Sequence, residues 1–155
     1  MNEYLNVIRN NYANFTGRAR RREYWMFTLI NGIILILLQI PVQGAALAMV
    51  AQMQAQTNAG VEATPNLGFT GITLIFALLL FIYSLAVLVP SLAVTVRRLH
   101  DTGKSGWLIL LNLIPFIGGL ILLVFLVTDS EAGANKWGPN PKGLGQNAAA
   151  PANNW

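Results

Sequence analysis

The sequence Arg97-Arg98-Leu99-His100-Asp101-Thr102-Gly103-Lys104-Ser105-Gly106-Trp107 is a charged island set between two long apolar stretches, and it contains the only histidine of the chain. Its neighbours decide how it reads. Residues 63–96 before it and 105–128 after Lys104 carry no Asp, Glu, Lys or Arg, and neither do residues 24–61. A bilayer-spanning helix needs roughly 20 apolar residues, a length that all three runs reach. With 54% of its 155 residues hydrophobic and 10% charged, the chain has too little polar sequence to cover three such runs in water. The island is therefore expected to be a tight turn at a membrane surface, where one span ends and the next begins.

The composition expectation is an all-α integral membrane protein, a small bundle of three transmembrane helices over about 24–47, 69–96 and 107–128. Residues 1–142 form a single multi-pass domain in this reading, followed by a disordered tail over 143–155, which is rich in Gly, Ala, Asn and Pro. The first apolar run is too long for the core of a cleaved signal peptide and follows a long N-terminal region, which favours a retained anchor. The third run contains Pro115-Phe116-Ile117-Gly118-Gly119. It is expected to cross once with a kink, because two arms of about ten residues each are too short to cross separately. A re-entrant hairpin or fourth segment turning at these residues is the alternative.

Ahead of the first span, Leu5, Ile8, Tyr12 and Phe15 recur at helical spacing, predicting an amphipathic helix over 1–15 that lies in the interface or packs on the protein's own loops. Arg18, Arg20, Arg21 and Arg22 then precede Glu23, Tyr24 and Trp25. Basic residues followed by amphipathic rings mark the cytoplasmic boundary of a span, with Glu23 expected to pair inside its own arginine cluster. The loop over 52–66 has no Lys or Arg, which places it outside and the N-terminus in the cytoplasm. Asn31, an amide at hydrocarbon depth, is expected to face another helix.

Within the island, Arg97 and Asp101 are spaced for an i, i+4 ion pair, Gly103 frees the turn, and Thr102 or Ser105 is placed to cap the next helix. Gly103-Lys104-Ser105 fails as a phosphate-binding loop because position 98 is arginine where that motif needs glycine. His100 next to Asp101 suggests metal or acid–base chemistry, but adjacent helical residues diverge by about 100° and there is no second histidine. With no cysteine, thiolate chemistry is excluded, and neither metal nor cofactor is expected. The net charge of +4 points to lipid phosphates rather than nucleic acid, since the basic residues flank the spans.

Three segments, Gly17-Arg18-x-x-Arg21-x-Glu23-Tyr24-Trp25, the island itself, and Asn135-Lys136-Trp137-Gly138-Pro139-Asn140-Pro141, together resemble a family of small bacterial inner-membrane proteins, the domain of unknown function 805. The resemblance covers about 12–142. It implies residence in the bacterial plasma membrane and marks Arg18, Arg21, Glu23, Arg97, Arg98, His100 and Asp101 as shared features without giving any a role.

The expected function is non-enzymatic: binding of anionic lipid headgroups, a membrane-protein partner or a second copy through Arg18, Arg21, Glu23, Arg97, Arg98, His100, Asp101 and Lys104. The alternative is a subunit of an oligomeric transporter or channel, with Asn31, Asn112 and the prolines Pro41, Pro90 and Pro115 lining a path. No charged residue lies mid-span to carry an ion along it.

Overall fold

The computed structural model describes residues 2–62, 64 and 66–143, so most of the tail expected to be disordered lies outside the described residues. Four α-helices and one 3-10 helix follow in order: α1 Asn2–Asn10, α2 Arg21–Asn58, α3 Leu67–Asp101, the 3-10 helix Gly106–Leu113, and α4 Ile117–Val127. Two compact units result, made of the described residues within 2–29 and 88–143 and of those within 30–87.

The two long helices are longer than the sequence led us to expect. α2 continues past residue 47 and through Pro41 to Asn58, because one proline removes one backbone bond and the Ala- and Gln-rich stretch beyond it favours helix. What stops it is Gly60, at φ 69°, where Val61 N–H donates to Gln56 O at 3.0 Å and Gly60 N–H to Thr57 O at 3.1 Å. α3 ends in the same way: Gly103 has φ 73°, Lys104 N–H donates to Leu99 O at 3.0 Å, and Gly103 N–H to His100 O at 3.1 Å. Both are left-handed C-terminal caps in which glycine avoids the Cβ clash. The first half of the charged island is thus helix, and the turn is confined to the residues after Asp101. Ser105 makes no side-chain cap.

α2 and α3 are both long and apolar enough to cross a bilayer. In the 30–87 unit, the Tyr83 hydroxyl donates to the Asn31 side-chain oxygen, so the intramembrane amide does meet a second helix.

The segment 107–128 corrects the expectation of one kinked crossing. It is a hairpin, a 3-10 arm and then an eleven-residue α4, hinged at Pro115 and at Phe116, whose φ is 64°. Leu122 and Leu126 of α4 share a core with Leu99 of α3, against which Leu108, Ile109 and Leu111 of the first arm also pack. Lys104 Nζ, ahead of the first arm, lies 4.6 Å from the ring centre of Phe125, near the end of the second. The arms touch because Gly118 presses against the Leu111 carbonyl, leaving no room for a side chain. At about 16 Å, α4 spans roughly half of a 30 Å hydrocarbon layer.

α1 is also shorter than expected, ending at Asn10 where Asn11 and Asn14 bond to nearby backbone and side chains instead of continuing the helix. Its buried residue is Val7, and Tyr4 stacks on Phe27 at 5.7 Å. Leu5, Tyr12 and Phe15 of the expected stripe are exposed.

Candidate functional site

The charged residues singled out in the sequence converge at the end of α3. The chain enters α2 by crossing that end in extended form, Ala19 N–H donating to Arg97 O at 3.0 Å. This places Arg18 over Asp101. Arg18 Nε donates to Asp101 Oδ1 at 3.0 Å. Its Nη1 reaches Gly133 O at 2.8 Å and Gly138 O at 3.4 Å, and its Nη2 reaches Glu131 O at 2.7 Å and Asp101 O at 3.3 Å. All five guanidinium donors are thereby used.

Asp101 has no exposed surface. Its Oδ2 accepts from Arg98 Nη1 and from Ser130 Oγ at 2.6 Å. Arg98, equally enclosed, also donates through Nε to Leu126 O at 3.1 Å and through Nη2 to Thr128 O. Those carbonyls end α4 and have no intrahelical donor, so one arginine both neutralises a buried carboxylate and caps the hairpin. Glu131 N–H donates to Asp101 O at 2.8 Å, closing the return of the chain to the same point.

Arg97 turns away from this group. It pairs with Glu23 at 2.8 Å, and its Nη1 is buried with no partner among the described residues. Two expected pairings are thus replaced: Glu23 pairs with Arg97 rather than with its own cluster, and Asp101 pairs with Arg18 and Arg98 rather than with Arg97. The extended 15–20 segment brings Arg18 to Asp101 across 83 positions, while Arg98, one turn away on α3, takes the other carboxylate oxygen.

His100 lies beyond Val96, where the apolar run of α3 stops, and so outside the hydrocarbon. Its Nδ1 is 3.2 Å from Gly17 O, which assigns the ring proton to that nitrogen, and its ring stacks on Trp137 at 4.4 Å and 11°. Burial lowers its pKa, partly offset by the Gly17 carbonyl. His100 and Asp101 therefore serve separate partners, and among the described residues no three His, Asp or Glu side chains converge as metal ligands.

Residues 129–142 fold over this cap, a closure only partly foreshadowed by their residue types. Asn135 Nδ2 donates to His100 O and to Glu131 Oε2, both at 2.9 Å, while its Oδ1 accepts from Trp137 N–H at 3.1 Å. Asn140, almost fully buried, donates to Glu131 O at 3.1 Å and accepts from Lys142 N–H at 2.9 Å. Trp137 packs on His100. Ser130, Glu131, Asn135 and Asn140 are site residues that sequence reasoning missed. Asn140 between two prolines, and the place of Asn135 and Asn140 in the third motif, were the available signals.

Of the eight candidate residues, the fold brings together Arg18, Glu23, Arg97, Arg98, His100 and Asp101, all buried. Lys104 is half-buried against Phe125, and Arg21 is exposed, as are Arg20 and Arg22. No ion pair within 4 Å involves Arg20, Arg21 or Arg22 among the described residues. Chemically the cap is an ion cluster of three arginines and two carboxylates, Arg18, Arg97 and Arg98 with Glu23 and Asp101, whose donors and acceptors meet one another except at Arg97 Nη1.

Two helices long and apolar enough to cross a bilayer, with helices the only extended regular elements among the described residues, are consistent with an all-helical membrane protein. The three motifs that meet in the cap are those whose resemblance was noted in the sequence. The chain belongs to the DUF805 family, described as "Protein of unknown function", whose model matches residues 12–139. It is 42% identical over 142 residues to "Inner membrane protein YhaI" of Escherichia coli K12, covering 92% of this chain and 97% of that one. With "Inner membrane protein YhaH" of the same strain it shares 41% over 142 residues, covering 92% and 98%. No solved structure matches the chain.

Proposed function

We propose that this is a non-enzymatic, multi-pass inner-membrane protein whose cap faces the cytoplasm and engages anionic lipid headgroups through Arg20, Arg21 and Arg22. The names of its relatives support the compartment. The observation that carries the reading is a division among the arginines: Arg18, Arg97 and Arg98 are buried and paired, whereas Arg20, Arg21 and Arg22 stand exposed. Arg21 and Arg22 occupy the first turn of α2, where the positive end of the helix dipole disfavours cations. An anionic headgroup there relieves that repulsion and suits Trp25, exposed on the next turn at a level favoured by aromatic side chains. The exposed Leu5, Tyr12 and Phe15 extend the same interfacial surface.

The test is native mass spectrometry of protein reconstituted with mixed phosphatidylcholine and phosphatidylglycerol, comparing wild type with the triple variant Arg20→Gln, Arg21→Gln, Arg22→Gln. At about 1 kcal/mol per basic residue near the surface, the variant is expected to lose phosphatidylglycerol preference by up to roughly 100-fold. Equal retention by both proteins overturns the proposal.

A further inference from the structure

A cavity of about 320 Å³ opens between the first turn of α2, the last third of α3 and both arms of the hairpin. Most of its wall is aliphatic, including Leu122, Leu123 and Leu126, and no charged side chain lines it. Four polar residues interrupt that wall: Tyr24, Ser91, Thr95 and Asn112. The Thr95 hydroxyl is already committed, donating to Ser91 O at 2.7 Å. The Ser91 hydroxyl and the Asn112 amide have no hydrogen-bond partner among the described residues.

Both groups stand in charge-free stretches. Ser91 precedes Arg97 by six positions, or about 9 Å along α3, and Asn112, exposed on the first arm of the hairpin, lies in the run 105–128 that carries no charge, so both are read as facing hydrocarbon. Hydrocarbon offers them no water, so polar groups there are costly until something else bonds them. Ser91 supplies one O–H and Asn112 two N–H donors, and with no charge nearby their complement is a neutral acceptor. The volume is at the low end for a ligand pocket, enough for one functional group and its adjoining carbons while the remainder of a long molecule stays in the bilayer.

We propose that this cavity binds the carbonyl group of a membrane lipid, the carbonyl oxygen accepting from Ser91 and Asn112 and the attached hydrocarbon packing on Leu122, Leu123 and Leu126. Two sources share this chemistry, the acyl ester of a phospholipid and the ring carbonyl of an isoprenoid quinone. The site shares no residue with the exposed arginines, so the triple glutamine variant leaves it unaltered.

The experiment places the full chain in nanodiscs of diether phosphatidylcholine, which lacks ester carbonyls, and adds either diester phosphatidylethanolamine or a short-chain ubiquinone. Bound molecules are counted by native mass spectrometry. Wild type is expected to retain one carbonyl-bearing molecule. The double variant Ser91→Ala, Asn112→Leu is expected to retain it at least tenfold less. Gly119→Leu, which fills the cavity, acts likewise, whereas Gly119→Ala, whose added carbon comes no nearer than 4.0 Å to Asn112 Oδ1, keeps it. Retention of the diester alone identifies a phospholipid ester, and of ubiquinone alone a quinone; retention of both supports a general carbonyl site. Three results overturn the proposal: no retention by wild type, retention unchanged in the double and cavity-filling variants, or dissociation of an oligomer by Asn112→Leu with retention unchanged.

Discussion

Asp101 is the residue on which the cap turns. Two guanidinium groups and a serine hydroxyl close around a carboxylate with no exposed surface. Such a group adds little net stability compared with apolar side chains of equal volume, but removing one member strands the others in a low-dielectric site. Asp101→Asn is accordingly expected to destabilise the protein by about 3–5 kcal/mol, read as a lower Tm in detergent. Arg97→Lys should cost far less, since only one of its terminal nitrogens has a partner. Arg98 and Asp101 stand at helical i, i+3 spacing, so that pair was legible beforehand, although Arg97 at i, i+4 was the partner expected. Helical spacing names neighbours three or four residues away, whereas Arg18 and Asp101 are 83 apart in sequence. The residue types carried the information that a charged cluster existed, and only the path of the chain carried which charges meet.

At the scale of the elements, spans were easier to read than their ends. Charge-free runs reveal α2 and α3 because hydrocarbon excludes charge over a whole segment. The same runs fail to mark the helix termini, since α2 continues through uncharged amides and α3 through charges that the protein itself buries. The hairpin was ambiguous for a different reason. Proline and paired glycines permit either a kink or a reversal, and length alone favoured the kink. What resolves it is the contact of Gly118 with Leu111, which gives a sharp contrast between adjacent glycines. Gly118→Ala forces a carbon into the Leu111 carbonyl and is expected to open the hairpin, costing about 1–3 kcal/mol or more as an overpacking defect that no rotamer change can relieve. Gly119→Ala meets nothing closer than 4.0 Å and is expected to be neutral or stabilising by up to about 1 kcal/mol through helix propensity. Thermal unfolding of the two variants, side by side, checks both.

For the molecule as a whole, membrane class was written in the composition, and family membership in three short motifs that prove to be the three walls of one cap. The return of the chain after the hairpin was only the alternative reading of residues 115–119, and the structure brings Glu131 and Gly133 beside Arg18. A chain without cysteine suits a direct check. Single substitutions Glu3→Cys and Lys136→Cys are expected to react with an impermeant maleimide from the same side of sealed vesicles, and Asn58→Cys from the opposite side. Labelling of Glu3→Cys and Lys136→Cys from different sides rejects the hairpin topology.

The pairing across the cap also sets an order in time. A ribosome adding about 5–20 residues per second delivers Asp101 roughly 4–17 s after Arg18, given the 83 positions between them, and the carbonyls of Glu131, Gly133 and Gly138 later still. During that interval Arg18 is an unburied cation beside the nascent first helix, able to bias the orientation in which that helix inserts. Once the tail emerges, the same side chain is withdrawn from solvent. A chain interrupted before residue 129 leaves it without those carbonyls, so the cap closes only over a polypeptide whose synthesis has run past its last apolar segment.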